Sequence, residues 1–87
     1  MEFEWDDGKE AAYRAKHGLG FDVVAKCDWS DYQKFADERR DYGENREEAY
    51  VYLGSRLHVC VFVLRERRFR ITSFRKANRR EERRYGR

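Results

Sequence analysis

Lys16 and His17 stand side by side in the run YRAKHG, Glu44 sits in YGENR, Arg65 ends the run LHVCVFVLR, and Arg75 with Lys76 follow RITSF. His, Glu, Lys and Tyr can move protons, and a guanidinium matches two phosphate oxygens at once. Those types suit cleavage of a phosphodiester in RNA. There a base takes the 2′-hydroxyl proton, fixed cations stabilise the dianionic phosphorane, and an acid protonates the departing 5′-oxygen. No phosphate-binding loop, nucleophile elbow or metal-ligand spacing accompanies them, so no metal or cofactor is expected.

Each candidate also has a structural explanation. His17 precedes Gly18, where a histidine can simply face the carbonyls at a helix C-terminus. Lys16 fits a solvated helix cation. Arg65 shares parity with Val59, Val61 and Val63, so it continues an otherwise apolar sheet face and calls for an anionic partner. Arg75 shares parity with Phe69, Ile71 and Ser73, though strand ends also carry Arg for solubility. Trp5 and Tyr85 could stack on bases, but a Trp in a short first strand is more often core.

The elements that must position these groups follow from the apolar pattern. EFEW alternates Phe3 and Trp5 with acids, as a half-buried strand does; Asp6 or Asp7 then caps a helix over about 8–17 that Gly18 ends. Phe21, Val24 and Ala25 predict a second short helix at about 20–27. The charged segment 30–46 admits an edge strand, a loop or a helical turn. Three β-rich runs at about 48–54, 57–65 and 68–75 predict an antiparallel meander whose middle strand, apolar on both parities, is covered on both sides. A terminal helix is expected within 76–85. The order β-α-α-β-β-β-α, with helices packed on an antiparallel sheet, is an α+β arrangement.

A tight turn centred on Arg67 would pair Arg65 near Phe69, Arg75 near Val59 and His58 with Lys76. The two arginines then lie about six residues, or roughly 20 Å, apart along the hairpin. That geometry allows a groove along several nucleotides as readily as one focused pocket.

Composition supports a folded binding protein. The 87 residues suit one small domain, and although 43 % are charged, two Trp, six Tyr and six Phe provide a core that disordered chains lack. No apolar run is long enough to span a bilayer, and the acidic start MEFEWDDGKE has no signal-peptide core, so a cytoplasmic location is expected. Cys27 and Cys60 stand alone and fit reduced packing residues. The net +3 conceals an asymmetry: residues 1–55 hold eight Lys/Arg against fourteen Asp/Glu, and residues 56–87 hold twelve against three. Such a basic half fits a polyanion or an acidic partner, and equally a solvated surface.

Taken together, FEWD at 3–6, Lys9, KHG with Phe21, YGE with Arg46, Arg65, and RITSFRKANRRE at 70–81 with Tyr85 resemble the BrnT family of type II toxins. The resemblance spans nearly the whole chain, as one BrnT-like domain over 1–87. It implies a RelE-like α+β fold and a metal-independent endoribonuclease that cleaves RNA and arrests translation. It also implies a ribbon-helix-helix antitoxin of the BrnA type, whose complex with the toxin binds operator DNA. Carried onto this chain, Arg65 and Arg75 would hold phosphate and transition-state charge, and His17 or Glu44 would transfer protons. Trp5, Lys16, Lys76, Arg79 and Arg80 would grip RNA. Tyr13 stands where the family usually has Asn and Val63 where Thr is frequent, but no charged motif residue is lost. The competing reading is a non-catalytic basic module that binds nucleic acid or docks a protein within a repressor complex.

Overall fold

The run RLHVCVFVLR, apolar on both parities, forms the middle strand of a five-stranded sheet. In the computed structural model, which describes residues 2–38 and 43–87, the sheet order is β1-β5-β4-β3-β2. The strands are β1 (Glu2–Glu4), β2 (Asp28–Ala36), β3 (Arg46–Leu53), β4 (Arg56–Arg65) and β5 (Arg68–Lys76). β1 pairs parallel to β5, and the other neighbours are antiparallel. The architecture is α+β with a mixed sheet. It departs from the expectation in three places: the sheet is mixed rather than antiparallel because β1 joins the β5 edge in parallel, the segment left open becomes the edge strand β2, and residues 21–26 form a 3-10 helix rather than an α-helix. Phe21 and Val24, three apart, are both fully buried; in a 3-10 helix such positions eclipse one another, so the tighter turn drives both into the core. Tyr42 of the YGE run lies outside the described residues.

Helix α1 (Asp7–His17) begins where Asp6 accepts the Lys9 backbone N–H at 2.8 Å and ends at Gly18, whose φ of 75° is the left-handed conformation glycine adopts without strain. Helix α2 (Arg79–Tyr85) is shorter than the expected 76–85 span, since Lys76 still belongs to β5 and Ala77 is buried. It begins with a reciprocal cap: Asn78 accepts from the Glu81 N–H at 2.8 Å, and the Glu81 carboxylate accepts from the Asn78 N–H at 2.9 Å.

β4 is covered on both faces, as its pattern predicts. Cys60 and Phe62 join Phe21, Val24, Ile71 and Phe74 in one core, while Leu57, Val59 and Val61 join Tyr50 and Ala77 in a second, closed by Tyr85 of α2. The first core is aromatic: Phe62 stacks on Phe69 at 4.7 Å, and Trp29 meets Phe3, Phe62 and Phe69. Cys27 and Cys60 are buried free thiols, and burial pushes the Cys27 thiol up to about 11, so both pack as inert apolar groups.

The hairpin between β4 and β5 determines what faces the second core. Its turn is two residues long, Glu66 and Arg67, with φ of 49° and 69°. Both signs match the primed turns that suit strand twist. Arg65 therefore pairs with Arg68, not with the expected Phe69. Farther along, the register shifts by one, because Phe62 pairs with Ile71 but Val61 with Ser73, leaving Thr72 as an extra residue. The Thr72 hydroxyl donates to the Val61 carbonyl at 3.1 Å, anchoring this bulge. With the shift, Arg75 pairs with Val59 and His58 with Lys76, as expected.

The bulge corrects the expected parity of β5. Phe69 and Ile71 face the aromatic core with Phe62, whereas Ser73 and Arg75 pair with Val61 and Val59 on the opposite face. Without the inserted residue, strict alternation would carry Arg75 to the face of Phe69 and Ile71. With it, Arg70, Ser73, Arg75 and Arg65 share one face.

Candidate active site

On that shared face two adjoining clefts open, one lined by Val61 and the next by Val63. The first, about 210 Å³, brings Lys16 and His17 from the end of α1 against Glu48 of β3 and Ser73 and Arg75 of β5. The second, about 390 Å³, gathers Lys9, Glu44, Arg46, Arg65 and Arg70. Val61 and Val63 are two positions apart on one strand face, about 7 Å, so the clefts are successive segments of one groove.

Local packing aims the side chains of the first cleft. His17 stacks on Tyr13 at 5.5 Å and 20°, one helical turn away, and Tyr13 in turn contacts buried Phe21 at 5.7 Å. The aromatic residue at the position where Asn is usual thus supports the histidine ring. Arg75 is held by Glu81 through two bonds, 2.8 Å to Oε1 and 3.0 Å to Oε2. These hydrogen bonds raise the guanidinium pKa and, reciprocally, hold the Glu81 carboxyl below its usual range. The Tyr50 hydroxyl beside them is pushed up to about 12, chiefly by burial, so it stays a neutral phenol.

In the second cleft Glu44 is the organising anion. Its Oε1 accepts from Arg46 Nε at 3.3 Å, and its Oε2 lies 3.6 Å from Arg65 Nη2. Lys9 is held below the ordinary lysine value, first by burial and then by Arg46, against the opposing pull of Glu44. Arg70 and Arg68 approach Glu4 of β1 at 3.8 Å each, and Arg68 also pairs with Glu2 at 3.2 Å. Together these arrangements can hold two or more anionic groups in line, with a histidine at one end.

The structure brings together five of the nine residues singled out from sequence, as two groups. Lys16, His17 and Arg75 line the first cleft, and Glu44 and Arg65 the second. The other four line neither. Trp5 packs edge-to-face on Phe21 at 6.4 Å and contributes to the aromatic core. Lys76, one residue past Arg75 and paired with His58, points to the opposite sheet face. Arg79 and Arg80 are exposed in the first turn of α2. Sequence reasoning passed over Glu48 and Ser73, and it left Lys9, Arg46 and Arg70 as unassigned pattern residues. Glu48 had a usable signal, an acid on the parity of Tyr50 in an aromatic strand; Ser73 had none until the bulge fixed its face.

An α+β protein whose mixed sheet carries a cationic groove, with a histidine at one end and carboxylates pairing its arginines, has groups suited to binding a phosphodiester backbone. Residues 5–81 match the family described as the ribonuclease toxin BrnT of type II toxin-antitoxin systems. The chain belongs to that family. No curated protein matches the chain.

Proposed function

We propose that this protein is a RelE-like, metal-independent endoribonuclease that cleaves RNA in the first cleft and thereby inhibits translation. The observation that carries the reading is the convergence of His17, Lys16 and Arg75 at one point of the groove, in a chain of a ribonuclease toxin family. His17 takes the proton of the 2′-hydroxyl, whose oxygen attacks the adjacent phosphorus. Arg75 and Lys16 stabilise the negative charge of the phosphorane. The bond from phosphorus to the 5′-oxygen breaks, and that oxygen takes a proton from an acid of the cleft, leaving a 2′,3′-cyclic phosphate and a free 5′-hydroxyl. Glu44 acts as a positioning carboxylate for Arg65 and Arg46, which bind the flanking phosphates. Trp5, Lys76, Arg79 and Arg80 contribute no more than outer contacts to a longer RNA.

The whole chain over 1–87 acts as one toxin domain in the cytoplasm. Its neutralising partner is a BrnA-like ribbon-helix-helix antitoxin, and the complex binds operator DNA through that antitoxin. The surplus of Lys and Arg in residues 56–87 offers an acidic inhibitor complementary charge. The deciding experiment incubates the purified protein with end-labelled RNA, with and without a chelator. Fragments carrying cyclic or 3′-phosphate ends in both lanes support the reading. Loss of cleavage on chelation, or tight RNA binding with no cleavage, would replace it by a metal-dependent enzyme or a binding module respectively. Growth arrest on expression, relieved by the adjacent reading frame, tests the partner.

A further inference from the structure

Arg75 owes its position to α2 as much as to β5. A guanidinium has five N–H donors. Glu81 takes one on Nη1 and one on Nη2, and the Lys76 carbonyl accepts from Nη1 at 3.2 Å. Among the described residues, this leaves the Nε hydrogen and the second Nη2 hydrogen, which lie along one edge and match two oxygens of a phosphate. Glu81 is itself immobilised. The oxygen that accepts from Arg75 Nη1 also accepts from the Asn78 N–H at 2.9 Å, and the Glu81 side chain is only 14 % exposed.

We propose that Glu81 is a positioning residue for RNA cleavage: from the capping box of α2 it fixes one edge of Arg75 and presents the other as the phosphate-binding edge. The inference rests on the proposed role of Arg75 in the cleft. It assigns α2, none of whose residues lines either cleft, a direct part in aligning the reaction. It also separates two roles that one carboxylate performs, since a cap needs only an acceptor while Arg75 needs both oxygens.

Glu81→Gln separates those roles. Glutamine serves a capping box as glutamate does, but it offers Arg75 one amide oxygen and one N–H donor in place of two acceptors. Cleavage of an end-labelled single-stranded RNA of mixed sequence should lose roughly 10- to 100-fold in kcat, as misplacement of a reacting group does. KM should stay near wild type, while the melting temperature falls modestly with the loss of the two-bond Arg75–Glu81 ion pair. Asn78→Ala weakens the same cap without touching the carboxylate, and should lower the melting temperature while keeping kcat within about twofold. In an Arg75→Ala background, Glu81→Gln should cost nothing more. Full activity of Glu81→Gln, an equal kcat loss in Asn78→Ala, or a loss that persists without Arg75 would overturn the inference. If Arg75→Ala is itself fully active, the assignment of Arg75 fails and this inference with it. If Arg75→Ala is impaired while Glu81→Gln is not, only this inference fails.

Discussion

Arg75 and Arg65 are the same residue type at the two ends of one hairpin, on one sheet face, yet they are held differently. Arg75 is 32 % exposed and bolted to Glu81 through two short hydrogen bonds, the carboxylate itself fixed by a helix cap. Arg65 is 58 % exposed, and its contact with Glu44 is a single 3.6 Å approach. A guanidinium with one edge fixed loses little freedom on meeting a phosphate, whereas one that samples solvent must be ordered at that moment. Under the proposed function, the difference suits the Arg75 end to charge stabilisation in the transition state and the Arg65 end to backbone tracking.

The largest effect is expected at Arg75. Arg75→Ala should lower kcat for RNA cleavage by roughly 100- to 1000-fold, the usual scale for removing a preorganised donor to developing charge. Arg75→Lys should recover little of it, because an ammonium cannot bond Glu81 and a phosphate in the same planar geometry. A fully active Arg75→Lys would show that charge alone suffices and would erase the contrast between the two ends. His17→Ala belongs with this end and should lower kcat steeply, with KM nearly unchanged.

A smaller effect is expected at Arg65. Arg65→Ala should raise KM by roughly tenfold with kcat nearly unchanged, and should flatten the salt dependence of RNA binding by about one phosphate contact. Filter binding across a salt series measures the slope. If Arg65→Ala cut kcat as deeply as Arg75→Ala, the reacting phosphate would lie in the second cleft beside Lys9 and Glu44 instead.

Much of this arrangement was legible in the sequence, and the parts that were not share one cause. The central β4 and the α1 cap and stop follow from local pattern, because alternation, Asp6 and Gly18 act within a few residues, whereas the expected pairing of Arg75 with Val59 holds only because the bulge offsets the shorter turn. What failed depended on long-range choices. A bulge at Thr72 leaves no mark in the composition of RITSFR, yet it moves Arg75 from the side of Ile71 to the cleft. Edge strand β2 is dense in charge because its burial is slight, so its strand character came from pairing with β3 and not from apolar alternation. The family pattern supplied the site residues, Lys76 with Arg75 among them and Arg79 and Arg80 in the same run, but the sheet and helix turn these three away from Arg75.

Acid offers a subtler test through His58 and Glu81. His58 is buried against Phe74, bonded through Nδ1 to the Arg56 carbonyl and set beside Arg56 and Lys76; burial lowers its pKa from 6.5, helped by these cations against the opposing pull of the Arg56 carbonyl bond. A base whose folded pKa lies below its unfolded value binds fewer protons in the native state. Its contribution is therefore complete above 6.5 and is lost as pH falls toward the folded value. The Glu81 carboxyl, also lowered, adds a second loss below its ordinary 4.5. Melting temperature should decline from pH 7 to 5, and His58→Asn, which keeps a donor near the Arg56 carbonyl, should flatten that decline. An unchanged slope in His58→Asn would assign the acid sensitivity elsewhere.

The smallest effect is expected for Glu44→Gln, and it tests whether the second cleft is built for stability or for contact. Its ion pairs are long, 3.3 and 3.6 Å, and the partner Arg65 is largely solvated, so each is worth less than about 1 kcal/mol once screening and side-chain entropy are counted. Chemical denaturation should show a loss within that bound. RNA affinity should move the other way, rising a fewfold at low salt, because removing the carboxylate releases the Arg65 guanidinium to phosphate and deletes a repulsive charge from the groove. A carboxylate that transferred the proton itself would give the opposite result, unchanged affinity with a collapsed kcat. Glu44→Gln therefore decides between a carboxylate that orients arginines at one end of the groove and a second reacting centre that would make the two ends equivalent.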